Sequence, residues 1–130
     1  MLFFAVDPQT GVLSDRRELA EATTPDNLEL DDAGNLWVAS PFANAIYKID
    51  PDSGRVRTVF QPTPVESAKI VAETMWRQNV GEPILPLLTP ALWGPMPGLV
   101  TGVILSPENG PVYISGLGNA LVRLDRREED

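Results

Sequence analysis

The sequence contains no cysteine and no histidine. Without cysteine the chain can form no disulfide, no thiolate zinc site and no cysteine nucleophile. Without histidine it lacks the commonest general base near neutral pH and the commonest transition-metal ligand. Any catalysis by this chain alone must therefore use carboxylates, amides, hydroxyls or a hard cation bound through oxygen atoms.

Basic residues are also scarce, with 10 Lys and Arg against 18 Asp and Glu, so the formal net charge is −8. A nucleic-acid-binding surface needs clustered basic residues, and this balance argues against one. Long hydrophobic runs are missing too. The N-terminal segment has few apolar residues and no basic region, so we expect neither a signal peptide nor a membrane span, and the cytoplasm is the default localisation.

The chain has the length and composition of one ordinary globular domain, with 130 residues of which 43% are apolar and 22% charged. Short runs rich in β-branched and aromatic residues alternate with clusters of Gly, Pro, Asn and Asp, a pattern typical of strands joined by tight turns. The predicted strands cover residues 2–6, 12–20, 27–30, 36–40, 45–49, 55–60, 99–105, 112–115 and 120–124.

The middle of the chain has a different pattern. Residues 65–80 carry apolar side chains at steps of three or four, which predicts an amphipathic helix that packs through this stripe. Residues 81–98 are rich in proline, so we expect neither a helix nor a central strand there. Their apolar side chains indicate a loop that lies over a core or beside a pocket.

An internal repeat connects the predicted strands. A spacing of 43 residues pairs Asp7 with Asp50, and a spacing of 75 pairs Ser40 with Ser115 and Asn44 with Asn119. A period of about 40–50 residues with four short strands per unit is typical of a β-propeller. We therefore predict an all-β partial β-propeller of about two to three four-stranded blades, with one inserted helix and a Pro-rich loop.

This predicts a single partial propeller unit in three parts: blade repeats in residues 1–64, the insertion in 65–98 and closing blade strands in 99–130. Propellers close with about four to eight blades, more than this length supplies. Three arrangements stay open: one piece of a larger propeller, several copies that close one ring, or an irregular fold. A strand directly after Met1 favours the first two.

The segment "TPDNLELDDAGNLWVASPFANAIYKIDPDSGRVRTVF", residues 24 to 60, resembles the paraoxonase/arylesterase and gluconolactonase-like (senescence-marker-type) six-bladed β-propellers. The matching pattern is an Asp-Asn pair, an apolar strand and then Asp-x-x-Gly-Asn-Leu-Trp-Val. The ending "LVTGVILSPENGPVYISGLGNALVRLD" is similar to their closing blade. The resemblance covers nearly the whole chain but only the C-terminal portion of such a propeller.

The resemblance implies a calcium-dependent lactonase or arylesterase-like hydrolase, with another divalent cation as an alternative. The metal polarises the carbonyl of a small-molecule lactone or ester, and water attacks it. Asp26 and Asn27 match two metal ligands of the family, and Asp26 matches the catalytic carboxylate of the gluconolactonase-like branch. Trp93, Met96 and Leu99 are candidates for a hydrophobic pocket wall.

The chain also departs from the family. It has no histidine dyad, and the carboxylate and asparagines of earlier blades are absent, so only Asp26 and Asn27, with Ser40 or Glu29 as further candidates, can approach a metal. Whether this chain alone is an enzyme is therefore open.

The alternative is a non-catalytic propeller fragment that serves as a binding or self-assembly module. Its partners would be the missing blades or other copies of the chain; neither nucleic acid nor membrane is expected.

Asp26 and Asn27 have a simpler interpretation as turn residues. The repeat provides a comparison, because the spacing of 75 aligns them with Thr101 and Gly102 while the strand that follows is kept. A blade can therefore be built without this pair. We predict that the pair belongs to a metal site, whereas Asn44, which the repeat retains, is a turn residue.

Overall fold

The computed structural model describes residues 1–127, in which strands form three antiparallel sheets. Each sheet is a meander of consecutive strands. The first contains β1 (Leu2–Val6) and β2 (Leu13–Glu18), the second contains β3 (Leu28–Leu30), β4 (Leu36–Ser40), β5 (Ala45–Ile49) and β6 (Val56–Phe60), and the third contains β7 (Val100–Leu105), β8 (Val112–Gly116) and β9 (Val122–Leu124). The predicted all-β partial propeller is confirmed. The predicted closing segment ran to residue 130, and its residues 128–130 lie outside the described residues.

The insertion between β6 and β7 is helical. Helix α1 spans Pro64–Val80, a single 3₁₀ turn spans Leu85–Leu87 and a short helix α2 spans Pro90–Trp93. The predicted helix is confirmed, but the expectation that the Pro-rich segment contains no helix is wrong. Each of its two short helices has a proline in its first turn, where the missing N–H has no intrahelical partner to lose.

The predicted packing face of α1 is also wrong. The apolar stripe is exposed, with Val65 69% and Trp76 56% accessible. The residues that α1 buries are Ser67 and Thr74, two small side chains on the opposite side of the helix. Periodicity located the helix correctly, but small buried residues, rather than the apolar stripe, form the contact with the rest of the chain.

The second sheet is covered on both faces, which explains why "LWVAS" is almost continuously buried. Trp37, Ala39 and Ile46 pack against the third sheet, in a cluster with Val100, Val103, Val112 and Ile114. Val38 and Ile49 point the other way and pack with Ala20 and the half-buried Met1 and Leu19. The two clusters lie on opposite faces because side chains alternate along a strand.

Strand pairing tests the internal repeat in detail. The spacing of 75 relates β3 to β7 and β5 to β9, but the pairs Leu30–Leu36 and Leu105–Val112 show that β4 and β8 are related by 76. The predicted equivalence of Ser40 with Ser115 is therefore wrong, and Gly116 is the counterpart. The turn after β7 is one residue longer than the turn after β3. If β4 and β8 were aligned at a spacing of 75 instead of 76, each residue would be matched with one on the opposite face of the sheet, because side chains alternate along a strand.

The turn "DDAGN" is organised around Asp31. Its carboxylate accepts hydrogen bonds from the backbone N–H of Asn35 at 2.9 Å and from Nε1 of Trp37 at 2.9 Å, and it pairs with Nζ of Lys48 at 3.5 Å. Burial alone would raise the pKa of Asp31, but the hydrogen bonds from Trp37 and Asn35 and the charge of Lys48 outweigh it. Together they lower that pKa to about 2.

Replacing Asp31 by asparagine should lower the free energy of unfolding by about 1–3 kcal/mol at neutral pH, because the new amide cannot accept the indole N–H as the carboxylate does. The folded-state pKa is depressed, so Asp31 stabilises the fold above its ordinary value of 3.8, and this contribution is lost as the pH falls towards about 2. Denaturant unfolding from pH 7 to pH 2 measures the difference between wild type and Asp31→Asn.

The matched control is Asp32→Asn, which removes a neighbouring exposed carboxylate. We expect this control to resemble wild type at every pH. A gap between wild type and Asp31→Asn that stays constant from pH 7 to pH 2 would show that the charge of Asp31 does not stabilise the fold.

Candidate metal site

Asp26 and Asn27 lie directly before β3 and are both exposed. Their backbone extends the pairing of β3 with β4. The N–H of Asp26 donates to the carbonyl of Ala39 at 2.9 Å, and the N–H of Ala39 donates to the carbonyl of Asn27 at 2.9 Å. The pair is therefore fixed to the second sheet by backbone hydrogen bonds, although neither side chain is needed for them.

Asn27 connects two sheets. Its Nδ2 donates to the backbone carbonyl of Thr101 in β7 at 2.8 Å. This hydrogen bond fixes the amide plane, so that the orientation of Oδ1, the atom that can bind a cation, is set by the third sheet. The structural counterpart of Asn27 in the repeat is Gly102, where an added Cβ would collide with Oγ of Ser115.

The turn interpretation of Asp26 is not supported by its contacts. Three other aspartates that begin turns each accept a backbone N–H two residues later: Asp7 from Gln9 at 2.8 Å, Asp31 from Ala33 at 3.0 Å and Asp50 from Asp52 at 2.9 Å. Within residues 1–127, the Asp26 carboxylate makes no hydrogen bond or ion pair. It is thus available to a ligand.

The backbone angles separate Asn27 from Asn44 in the same way. Asn44 has a φ of 47°, is fully buried and donates from Nδ2 to the carbonyl of Leu92 at 2.8 Å. It is therefore a structural turn residue that also anchors α2, in agreement with the prediction. Asn27 is not among the described non-glycine residues with positive φ. It therefore lacks the backbone conformation that the turn interpretation requires of it.

The two further metal-ligand candidates are engaged elsewhere. Oε2 of Glu29 accepts the backbone N–H of Leu105 at 2.7 Å, a second bridge between β3 and β7. Ser40 is fully buried, and its Oγ donates to the carbonyl of Thr23 in the loop before Asp26. Both residues therefore position the segment that carries the pair, and the sequence alone gave no sign of this role.

The donor atoms fit calcium in kind but not in number. Calcium takes six to eight oxygen ligands, whereas one carboxylate and one amide supply at most three. In the described part of the chain, no three His, Cys, Asp or Glu side chains are grouped so that they could hold a metal ion. The two side chains alone therefore cannot complete a calcium site, which would also need other oxygen ligands such as backbone carbonyls, water or groups from outside residues 1–127.

The predicted pocket residues lie in and just after the insertion, and their role as a pocket wall stays a prediction. Trp93 is the half-buried last residue of α2, Met96 packs against the cluster between the second and third sheets, and Leu99 is only 3% exposed. The cavity beside Met96 and Leu99 has a volume of about 10 Å³, which is too small for a lactone. Asp26 and Asn27 do not line it.

No helix within residues 1–127 is both long and apolar enough to cross a membrane.

Comparisons with known proteins agree with this architecture. The chain is 38% identical over 64 residues to regucalcin from rabbit (Oryctolagus cuniculus) and to regucalcin from pig (Sus scrofa), and 36% identical to regucalcin from chicken (Gallus gallus). Each match covers 45% of this chain and 21% of the relative, so the matched stretch spans about a fifth of the curated relatives. No family model matches the chain.

Among solved structures, a luciferin-regenerating enzyme has a similar fold, with a TM-score of 0.52 and 22% sequence identity over 87% of this chain and 29% of that one. That identity is low enough that the likeness concerns the fold alone. That this chain corresponds to the C-terminal portion of such proteins stays a prediction. The chain is thus similar in sequence to the regucalcins over 64 residues, and its fold is that of part of a β-propeller.

Proposed function

We propose that this chain contributes the Asp26–Asn27 half of a calcium site in a lactonase or arylesterase-like hydrolase. The observation that carries the proposal is the Asp26 carboxylate. It is exposed at the start of β3, it makes no structural hydrogen bond within residues 1–127, and it lies beside an asparagine whose amide is held in place. Regucalcin similarity and the propeller fold support the hydrolase class.

Each residue of the pair has a distinct role in this proposal. Asp26 supplies a negative charge and up to two oxygen ligands. Asn27 supplies Oδ1, whose direction is fixed by the 2.8 Å hydrogen bond from Nδ2 to Thr101. A bound calcium ion supplies Lewis acidity toward the carbonyl of a lactone or ester. In this proposal the carboxylate of Asp26 also orients a water molecule for attack on that carbonyl.

A second candidate function is a non-catalytic binding or assembly module. It is favoured by the apolar side chains that the sheets leave exposed, including Leu28 at 52% and Leu30 at 61% in β3. These two residues lie on the face of the second sheet that carries Val38, which is directed towards the two-stranded first sheet. A partner that covers them could complete the fold without any reaction.

Calcium titration of the 130-residue chain should show saturable binding of low affinity, about millimolar, because the site lacks most of its ligands. Asp26→Asn should weaken this binding at least tenfold. The control Asp32→Asn removes the same charge from a nearby exposed position and should leave the affinity within twofold of wild type. Isothermal titration calorimetry measures all three.

An absence of saturable binding, or an equal loss in the Asp26 and Asp32 variants, would contradict the assignment. In the second case, calcium would be responding only to the acidic surface of the chain.

Hydrolysis should depend on Asp26 in a protein that supplies the remaining blades. There, Asp26→Asn should lower kcat for lactone and aryl-ester substrates at least about a hundredfold, because it removes a group that acts on the reacting atoms. Measured without calcium, the melting temperature should be unchanged, since the carboxylate makes no structural contact within residues 1–127. Undiminished hydrolysis, with calcium still bound, would assign the chemistry to other residues.

A further inference from the structure

We infer that Asn109, in the turn between β7 and β8, is a site of covalent modification by water. The backbone nitrogen of Gly110 attacks the side-chain amide of Asn109, ammonia leaves, and hydrolysis of the resulting cyclic imide produces a carboxylate beside Arg126. The site is apart from the Asp26–Asn27 pair and does not depend on the proposed function.

The reaction needs only the chain and water. In the first step, solvent removes the proton of the Gly110 N–H and a bond forms between this nitrogen and Cγ of Asn109. The bond from Cγ to Nδ2 breaks, and Nδ2 leaves as ammonia with protons from solvent. In the second step, water adds to either carbonyl carbon of the cyclic imide and opens it. The products are an aspartate and an isoaspartate, each of which carries a negative charge that asparagine lacks.

Asn109 is the asparagine whose neighbour permits ring closure. The sequence has six asparagines, and Asn109 alone precedes a glycine. A side chain on the following residue hinders the approach of its backbone nitrogen to Cγ, and glycine, which has no Cβ, removes this hindrance. The other asparagines precede Leu, Ala or Val, so the sequence selects this position.

The structure leaves the side chain of Asn109 open to water. Asn109 is exposed and has a φ of 57°, a conformation that asparagine adopts more readily than most residues. Within residues 1–127 its Nδ2 donates no hydrogen bond, so the leaving group is not held. Asn44 differs in both respects, because it is fully buried and its Nδ2 donates to the carbonyl of Leu92.

Arg126 acts on the same amide. Its Nη1 donates to Oδ1 of Asn109 at 2.8 Å, and its guanidinium lies 5.1 Å from the ring centre of Trp37. Negative charge develops on Oδ1 when the Gly110 nitrogen bonds to Cγ, and a guanidinium in this position stabilises that charge. We therefore expect Arg126 to accelerate ring closure.

One hydrogen bond opposes the reaction. The N–H of Gly110 donates to the carbonyl of Pro107 at 3.0 Å, so the turn must open before the nitrogen can attack. The turn is largely exposed, whereas the pair Leu105–Val112 that it connects belongs to the sheet. Local opening of an exposed turn costs far less free energy than global unfolding, so the reaction proceeds in the folded chain.

The two products have opposite effects on the fold. In the aspartate form, the hydrogen bond from Arg126 becomes an ion pair, which strengthens the contact that holds Arg126 beside Trp37. In the isoaspartate form, the backbone gains a carbon atom within the turn that the hydrogen bond between Ser106 and Pro111 closes. We expect the isoaspartate form to be less stable than the unmodified chain.

Peptide mapping by mass spectrometry tests the site in the 130-residue chain during incubation at mildly alkaline pH, which favours loss of the Gly110 amide proton. Modification should appear as a mass gain of about 1 Da at Asn109, divided between two chromatographic peaks for the aspartate and isoaspartate forms. Asn109→Gln should abolish the gain, because glutamine must close a larger ring that forms more slowly. Asn119, which is also exposed but precedes alanine, is the internal control and should stay unmodified.

Variants of the chain test the role of Arg126. Arg126→Ala should slow the reaction at least about threefold, because the charge on Oδ1 loses its partner. Arg126→Gln, which keeps more of the packing against Trp37, should slow it as well. Arg16→Ala removes the same charge from exposed β2 and should leave the rate unchanged.

A double-mutant cycle tests the product. Asn109→Asp makes the aspartate form directly and should raise the melting temperature in the chain that contains Arg126. In the Arg126→Ala background the same substitution should not raise it, because the new carboxylate then has no guanidinium to pair with.

Three results would overturn the inference: a mass gain at other asparagines but not at Asn109, no detectable gain after a synthetic peptide of residues 106–111 has converted completely, or a rate that loss of Arg126 leaves unchanged or raises. A melting temperature that Asn109→Asp changes equally with and without Arg126 would overturn it as well, because the product carboxylate would then not pair with this residue.

Discussion

The structure depends on the second sheet having two apolar faces. Trp37 and Ile46 contact the third sheet, and Val38 and Ile49 contact the segment around Ala20. The second sheet therefore takes part in both apolar clusters, one on each of its faces. Fully burying each such aliphatic side chain is worth about 1.5–3 kcal/mol. Asp31 supports this arrangement, because its bond to the Trp37 indole satisfies the polar atom that the interface would otherwise bury.

The same packing positions the candidate metal site. Asn27 and Glu29, in and before β3, each bind the backbone of β7, so the interface that buries Trp37 also sets the direction of Asn27 Oδ1. The carboxylate of the neighbouring Asp26 takes no part in these hydrogen bonds. Exposed carboxylates without contacts, such as that of Asp32, are ordinary on an acidic surface. What distinguishes Asp26 is its place beside Asn27, whose amide is held by Thr101.

Strands, turns and the 43-residue repeat could be predicted because they depend on local pattern: alternation, Asp-Pro-x-x-Gly turns and apolar runs. The packing face of α1 could not, because the buried Ser67 and Thr74 are chosen by the space available in the tertiary structure, while Trp76 remains exposed. The equivalence of Ser40 with Ser115 failed through one extra residue in the turn after β7, which side-chain similarity does not reveal. The hydrogen bond from Asn27 to Thr101 spans 74 residues and has no local signal.

The central claim is that a cation bound by this chain is held at the start of β3, and the most direct measurement is NMR of the 130-residue chain titrated with a paramagnetic lanthanide in place of calcium. Line broadening depends steeply on distance from the ion. The account predicts that broadening begins at Asp26 and Asn27 and reaches Thr101 in β7 before it reaches Asp50 or Asp52. Broadening that begins at the turn of Asp50, or that is spread evenly over the acidic surface, would contradict it.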